Sequence, residues 1–129
     1  MLFTRCIFLK PAPEDGFRIS IMSRHAKNDG KIFDPHLQSV SLHHSQFGPS
    51  PRLIGSYYKR GLSWDQFVQR YLTEMKQPSV AFSIRVLAKC ALVSDVTLLC
   101  VEETAEYCHR KYLAEEFQRY QPALYVEHR

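Results

Sequence analysis

Five side chains able to do chemistry are concentrated in segment 96–112 of the chain, which reads VTLLCVEETAEYCHRKY. A thiol can be a nucleophile, an imidazole a general base, a carboxylate a proton acceptor, and a guanidinium an anion-binding group. The segment supplies all four kinds of side chain, at Cys100, Glu102, Cys108, His109 and Arg110. It is therefore the first candidate for a functional site.

The elements on either side of these residues indicate where they lie in a fold. Residues 95–101 form a near-continuous apolar run, typical of a strand covered on both faces. Residues 107–120 carry a helical pattern that ends before Pro122. The candidate residues therefore lie at a strand-to-helix turn, where ligands usually bind in α/β folds.

The start of the predicted last helix favours an anion site with a reactive thiol. Cys108 falls at its first turn, where unpaired N–H groups and the helix dipole tend to lower a thiol pKa. Arg110 shares a helix face with Leu113 and Phe117, so we expect it to point into the crevice and bind phosphate or carboxylate. The alternative is a structural ion pair between Arg110 and Glu102 or its neighbour.

The remaining residues of the turn leave several roles open. His109 is a candidate general base and Glu102 a candidate orienting group, although a purely structural role is as common for both. Cys100, Glu102, Cys108 and His109 could together surround a metal ion. The gap between the two cysteines matches no common zinc signature, so we predict no metal. A redox pair of Cys100 and Cys108 is a further alternative.

A second cluster follows the segment FRISIMS, residues 17–23, whose alternation predicts a half-buried strand. If it lies parallel to strand 95–101, both strand ends open on one crevice. Arg24 and His25 would then join Arg110 and Cys100 as ligand-binding residues, and Lys59 would extend a basic rim.

The other segments predict an α/β domain. Strands are expected at 2–9 and 123–128, and helices at 50–60, at 63–75 and from Pro78 onward. Residues 26–49 read as a long loop. The stripe of the second helix is expected to be core; it comprises Trp64, Phe67, Val68, Tyr71, Leu72 and Met75. We predict a single compact domain over 1–129, with a small mixed or mostly parallel sheet and helices on both faces.

The composition of the chain limits which cellular compartment and which binding partners we predict. The 129 residues contain neither an apolar stretch of membrane-spanning length nor a signal-peptide pattern, so we predict a cytoplasmic protein without membrane association. Residues 1–60 hold nine Lys/Arg against four Asp/Glu, which suits a phosphate-bearing small molecule or a nucleic acid. Cys6 and Cys90 are expected to be buried apolar residues. The sequence indicates neither a cofactor nor an oligomeric state.

The chain resembles the domain-of-unknown-function family 488. An apolar strand ending in Cys-x-Glu, a short loop and then Cys-His-Arg are typical of that family, here as VTLLCVEETAEYCHRKYLAEEF. FRISIMSRH and GPSPRLIGSYYKRGLSWDQFVQRYLTEM are similar to further family segments, whereas HAKNDGKIFD departs from the usual aromatic and proline-rich stretch. The resemblance implies a small α/β domain and no established activity. It carries over to Cys100, Glu102, Cys108, His109, Arg110 and Arg24.

We therefore expect an anion-binding crevice at the Cys-His-Arg turn that accepts a phosphate-bearing or nucleotide-like molecule. Cys108 or His109 would be the reactive group, so the protein could be an enzyme. Two alternatives remain at this point. One is a non-enzymatic module associated with nucleic acid, and the other is a purely structural role for the motif.

Overall fold

The computed structural model describes residues 1–25, 39–102 and 104–129, and within them five strands form one sheet. The strands are β1 (Leu2–Cys6), β2 (Phe17–Ser20), β3 (Leu42–His43), β4 (Val96–Cys100) and β5 (Val126–His128). Their order is β3-β2-β4-β1-β5, and every neighbouring pair is parallel. The predicted α/β class and mostly parallel sheet are confirmed.

The described residues form four α-helices, close to the predicted bounds. They are α1 (Pro51–Lys59), α2 (Trp64–Met75), α3 (Pro78–Val93) and α4 (His109–Tyr120). The start of α1 is fixed by Ser50, whose hydroxyl accepts a hydrogen bond from the Leu53 N–H. The start of α2 is fixed by the capping box of Ser63 and Gln66. Local sequence therefore determines where these two helices begin.

Opposite faces of the sheet are covered by different parts of the chain. Helix α4 contacts β1, β4 and β5, and both α2 and α3 pack on α4. On the other face, Thr97 donates a hydrogen bond to the main-chain oxygen of Asp15, in the 3-10 helix Pro13–Asp15. Successive residues of a strand point to opposite sides. The fully buried β4 is therefore packed on both faces, as its apolar run predicted.

A buried ion-pair cluster fixes the 3-10 helix to the sheet. The Asp15 carboxylate is fully buried and accepts hydrogen bonds from Arg5, at 2.8 and 2.9 Å, and from Arg18. The Ala12 N–H donates to the same carboxylate. Because the buried charges are paired and hydrogen-bonded, this cluster is a structural element rather than an exposed basic patch.

Several strand predictions were too long, and one strand was missed. β1 ends at Cys6 and β2 at Ser20, and the segment after β2 lines the pocket described below. Within the predicted loop 26–49, the structure places the edge strand β3 and the 3-10 helix Ser45–Phe47, while 26–38 lie outside the described residues. A strand of two exposed residues has too little periodicity to be recognised in sequence.

The prediction for Cys90 was wrong, because its side chain is exposed. Helix α3 carries apolar residues on more than one side, and Phe82, Val86 and Val93 are exposed together with Cys90. The distribution of apolar residues along α3 therefore could not predict which side of this helix packs against the core. Cys6 is buried as expected. None of the described helices has the length and apolar character required to cross a membrane.

Candidate functional site

A pocket of about 450 Å³ lies at the carboxyl ends of β2 and β4. The two strands are adjacent and parallel, which is the condition under which the sequence predicted a shared crevice. The chain segments after both strands line it, together with α1, the start of α2 and the start of α4. The close approach of Gly48 to the segment after β2 shapes one side. A Cβ at Gly48 would lie 2.3 Å from the backbone nitrogen of Ser23, so only glycine fits there.

Cys100, Cys108 and His109 form the floor of the pocket, which we call the Cys-His floor. Their exposed fractions are 3%, 2% and 8%. One sulfur or ring nitrogen from each lies within 4.8 Å of the others. Cys100 is the last residue of β4, and Cys108 is the residue that caps α4. Parallel strand geometry and the start of α4 therefore bring together residues that are separated by a loop.

The ring of His109 is oriented by the carbonyl of Ile21, 2.9 Å from its Nε2. A carbonyl oxygen can only accept a hydrogen bond, so Nε2 must carry the proton. In the neutral ring the lone pair is then on Nδ1, and the two ring nitrogens lie equally far, 3.8 Å, from the Cys100 sulfur. The expected orienting residue was Glu102, whereas the contact that fixes this ring comes from the main chain after β2.

Burial raises the pKa of the Cys108 thiol well above its ordinary value, and the neighbouring Cys100 raises it further. His109 acts in the opposite direction, but with a smaller effect. The lowered pKa expected from a helix start is therefore not found. The thiol is nearly water-free, and removing a thiolate from water outweighs the favourable dipole of α4.

The pocket wall is aromatic, a feature that the sequence interpretation missed. Trp64 stacks on Phe67 with ring centres 5.1 Å apart and meets Tyr107 edge-on at 5.6 Å. Tyr57 packs edge-on against Trp64 at 5.6 Å. Trp64 and Phe67 belong to the stripe that was interpreted as core. Trp64 is the first residue of α2, and the start of this helix lines the pocket.

Two cations and one carboxylate complete the lining. Arg24 and Lys59 are exposed, and Glu102 is half-buried. The fold therefore brings Arg24, from the end of the β2 segment, to the same pocket as the residues after β4. Lys59 arrives from the last turn of α1.

Arg110 does not line the pocket, so the expected convergence with Arg24 is not found. Its side chain is fully buried, and Nη1 donates a hydrogen bond to the main-chain oxygen of Glu102. Arg110 lies on the same face of α4 as Leu113 and Phe117, as its spacing predicted. That face is directed to the protein interior and not to the crevice. Arg110 thus connects the loop after β4 to α4.

His25 is also outside the pocket lining. Its Nε2 lies 2.9 Å from the hydroxyl of Ser20, and its ring stacks on His43 at 4.2 Å. The chain turns after β2, so Arg24 and His25 are directed to different places. Of the candidate ligand-binding residues, the structure therefore brings Arg24, Lys59 and Cys100 together.

Comparison with known proteins assigns the chain to a family. A family model described as the active DUF488-N3 subclade, DUF488-N3a, matches residues 3–121. The matched region includes both strand ends and the Cys-His floor. No curated protein and no solved structure matches the chain significantly. The model covers nearly the whole chain, and the protein therefore belongs to domain-of-unknown-function family 488, in its N3 subclade.

Proposed function

We propose that the pocket binds a small anionic molecule with a planar ring, such as a nucleotide-like phosphate ester, and that the Cys-His floor contacts its reacting part. One observation carries the proposal: a single pocket joins two cations, an aromatic wall and a buried thiol–imidazole cluster. Its volume of about 450 Å³ suits a ligand of this size.

The aromatic wall supports a ring-bearing ligand. Trp64, Tyr57 and Tyr107 offer ring faces and edges within one connected cluster, and Tyr107 is 62% exposed. Aromatic side chains bind planar rings through stacked or edge-on contacts. An aliphatic ligand could not form these stacked and edge-on ring contacts.

The two cations support an anionic group on the same ligand. Arg24 offers a planar fork of donors that matches phosphate or carboxylate, and Lys59 offers a mobile point charge. Both side chains are exposed, so an anion in the solvent could reach them. The anionic group would lie at the mouth of the pocket and the ring along the wall.

The floor supports chemistry on the bound molecule. Nδ1 of His109 holds a lone pair beside Cys100, so it can accept a thiol proton and leave a thiolate facing the ligand. Cys108 lies in the same cluster and Glu102 at its edge. The description of the matching subclade as active agrees with an enzyme.

A cytoplasmic location would keep the four free thiols reduced.

Calorimetric titration with nucleoside monophosphates and the matching nucleosides tests this function. We expect the phosphates to bind more tightly, and Arg24→Ala or Lys59→Ala to weaken them about 10- to 100-fold, the effect of one lost charged hydrogen bond. Arg70→Ala and Lys89→Ala are matched controls, because both side chains are exposed and neither lines the pocket. Equal affinity for nucleosides and phosphates would refute the proposal.

The nucleic-acid alternative makes a different prediction in the same experiment. Binding of a single-stranded oligonucleotide would fall steeply with salt concentration, because several phosphate contacts release counterions. Mononucleotides would then bind weakly. Tight mononucleotide binding with little affinity for the oligonucleotide would favour the small-molecule function.

A further inference from the structure

The Cys-His floor has the donor atoms of a soft-metal site. Zinc in proteins is held tetrahedrally by sulfur at about 2.3 Å and nitrogen at about 2.0–2.1 Å, so its ligand atoms lie roughly 3.5–3.8 Å apart. The Cys100 sulfur and Nδ1 of His109 are 3.8 Å apart, and the whole cluster fits within 4.8 Å. Shifts of about an ångström or less would therefore place all three around one ion.

The hydrogen bond to Ile21 is a second and independent indication. Histidines that bind a metal through one ring nitrogen usually donate the other N–H to a carbonyl or carboxylate. The Ile21 carbonyl receives the Nε2 proton of His109 and leaves Nδ1 as the nitrogen free to coordinate, 3.8 Å from the Cys100 sulfur, as Nε2 also is. The tautomer required of a ligand is thus already set by the main chain.

Charge balance also favours a divalent metal ion at the Cys-His floor. Two thiolates and one neutral imidazole around a divalent cation have no net charge, which suits a site whose three residues are nearly inaccessible to water. The sequence argued against a metal because the gap between Cys100 and Cys108 matches no common zinc signature. Their separation in the fold is short, because the loop after β4 returns to the start of α4.

We propose that Cys100, Cys108 and His109 bind a zinc ion whose fourth coordination position faces the pocket. Binding releases the two thiol protons to solvent and forms two metal–sulfur bonds and one metal–nitrogen bond. All three ligands line the pocket, so a water molecule or a ligand atom can take the open position. With zinc bound, the Nδ1 lone pair and the Cys100 sulfur are both coordinated, so the proton transfer between them described above belongs to the metal-free protein. Three protein ligands with one open position are the arrangement of catalytic zinc sites.

Titration of metal-free protein with Co²⁺, followed by displacement with Zn²⁺, tests the site. We expect one ion per chain, a thiolate-to-cobalt absorption band and release of about two protons near neutral pH. Cys108→Ser should lower the affinity at least about 100-fold and weaken the band. Serine is well suited to this position, since residue 108 caps α4, and the variant should therefore fold. Circular dichroism of the metal-free variant checks this.

Cys90→Ser is the matched control, because Cys90 is exposed on α3 and does not line the pocket. It should bind cobalt like the unaltered protein. The proposal is overturned if the unaltered protein binds no ion at micromolar concentration, or if Cys108→Ser and Cys90→Ser have equal effects. These results are independent of the nucleotide titrations, which use metal-free protein and the variants at Arg24 and Lys59.

Discussion

The substitution Tyr71→Phe tests how much one buried hydrogen bond next to the pocket contributes to the free energy of unfolding. The side chain is fully buried in α2, and its hydroxyl donates a 2.6 Å hydrogen bond to the carbonyl of Phe47. Burial raises the pKa of Tyr71 well above its ordinary value, so the hydroxyl remains a donor at any working pH. Phe47 directly precedes Gly48, the residue in close contact with the segment after β2.

The expected loss for Tyr71→Phe follows from this geometry. The ring remains, and with it the packing against Phe67 and His109, so no cavity forms. What is lost is one buried hydrogen bond, and the Phe47 carbonyl is left without this donor. An unsatisfied buried group costs about 1–3 kcal/mol. Against a typical total of about 5–15 kcal/mol, this is a measurable part of the free energy of unfolding.

Urea unfolding followed by circular dichroism measures the effect. With a slope of about 2 kcal/mol per molar urea, the middle of the usual range, the midpoint should fall by roughly 0.5–1.5 M while the slope stays unchanged. Tyr125→Phe is the control, since Tyr125 is 60% exposed and its substitution should change stability by less than about 0.5 kcal/mol. Equal midpoints for the two variants would refute the reasoning.

Two further predictions concern the opposite face and the last strand. Asp15→Ala should lower the free energy of unfolding by about 3–5 kcal/mol in the same urea experiment, because Arg5 and Arg18 would lose their buried counter-ion; a loss below about 1 kcal/mol would contradict it. Burial and the nearby positive charges lower the pKa of His128 in the folded protein. Below about pH 6.5 the unfolded chain therefore binds more protons than the folded protein, and the free energy of unfolding decreases as the pH falls. His128→Gln should therefore show a smaller decrease in Tm between pH 8 and pH 5.5 than the unaltered protein, and an identical decrease would contradict this cause.

Much of the fold was predictable because its signals are local. The capping residues at Ser50 and Ser63 and the prolines that follow Ser50 and Gln77 set three helix starts within about one residue. The apolar run of β4 indicated a strand covered on both faces. Such patterns depend on backbone hydrogen bonding and periodicity over a few residues, which the sequence displays directly.

Features set by long-range contacts were not predictable. The two-residue strand β3 exists only because β2 offers it an edge. The exposure of Cys90 depends on which side of α3 meets its neighbours, and apolar residues on several sides left that open. The inward turn of Arg110 was indicated by helix spacing, but its partner, the main-chain oxygen of Glu102, depends on the path of a loop.

Residue types and periodicity along the chain identified side chains that could do chemistry and the strand end at which they lie. They could not determine their mutual geometry. The three-dimensional fold brings Arg24 into the same pocket as Cys100 and buries Arg110 away from it. It also decided that His109 takes its orientation from Ile21 and that burial raises the Cys108 pKa. The physical reason is that desolvation and hydrogen-bond partners depend on three-dimensional surroundings, whereas residue type and periodicity are written along the chain.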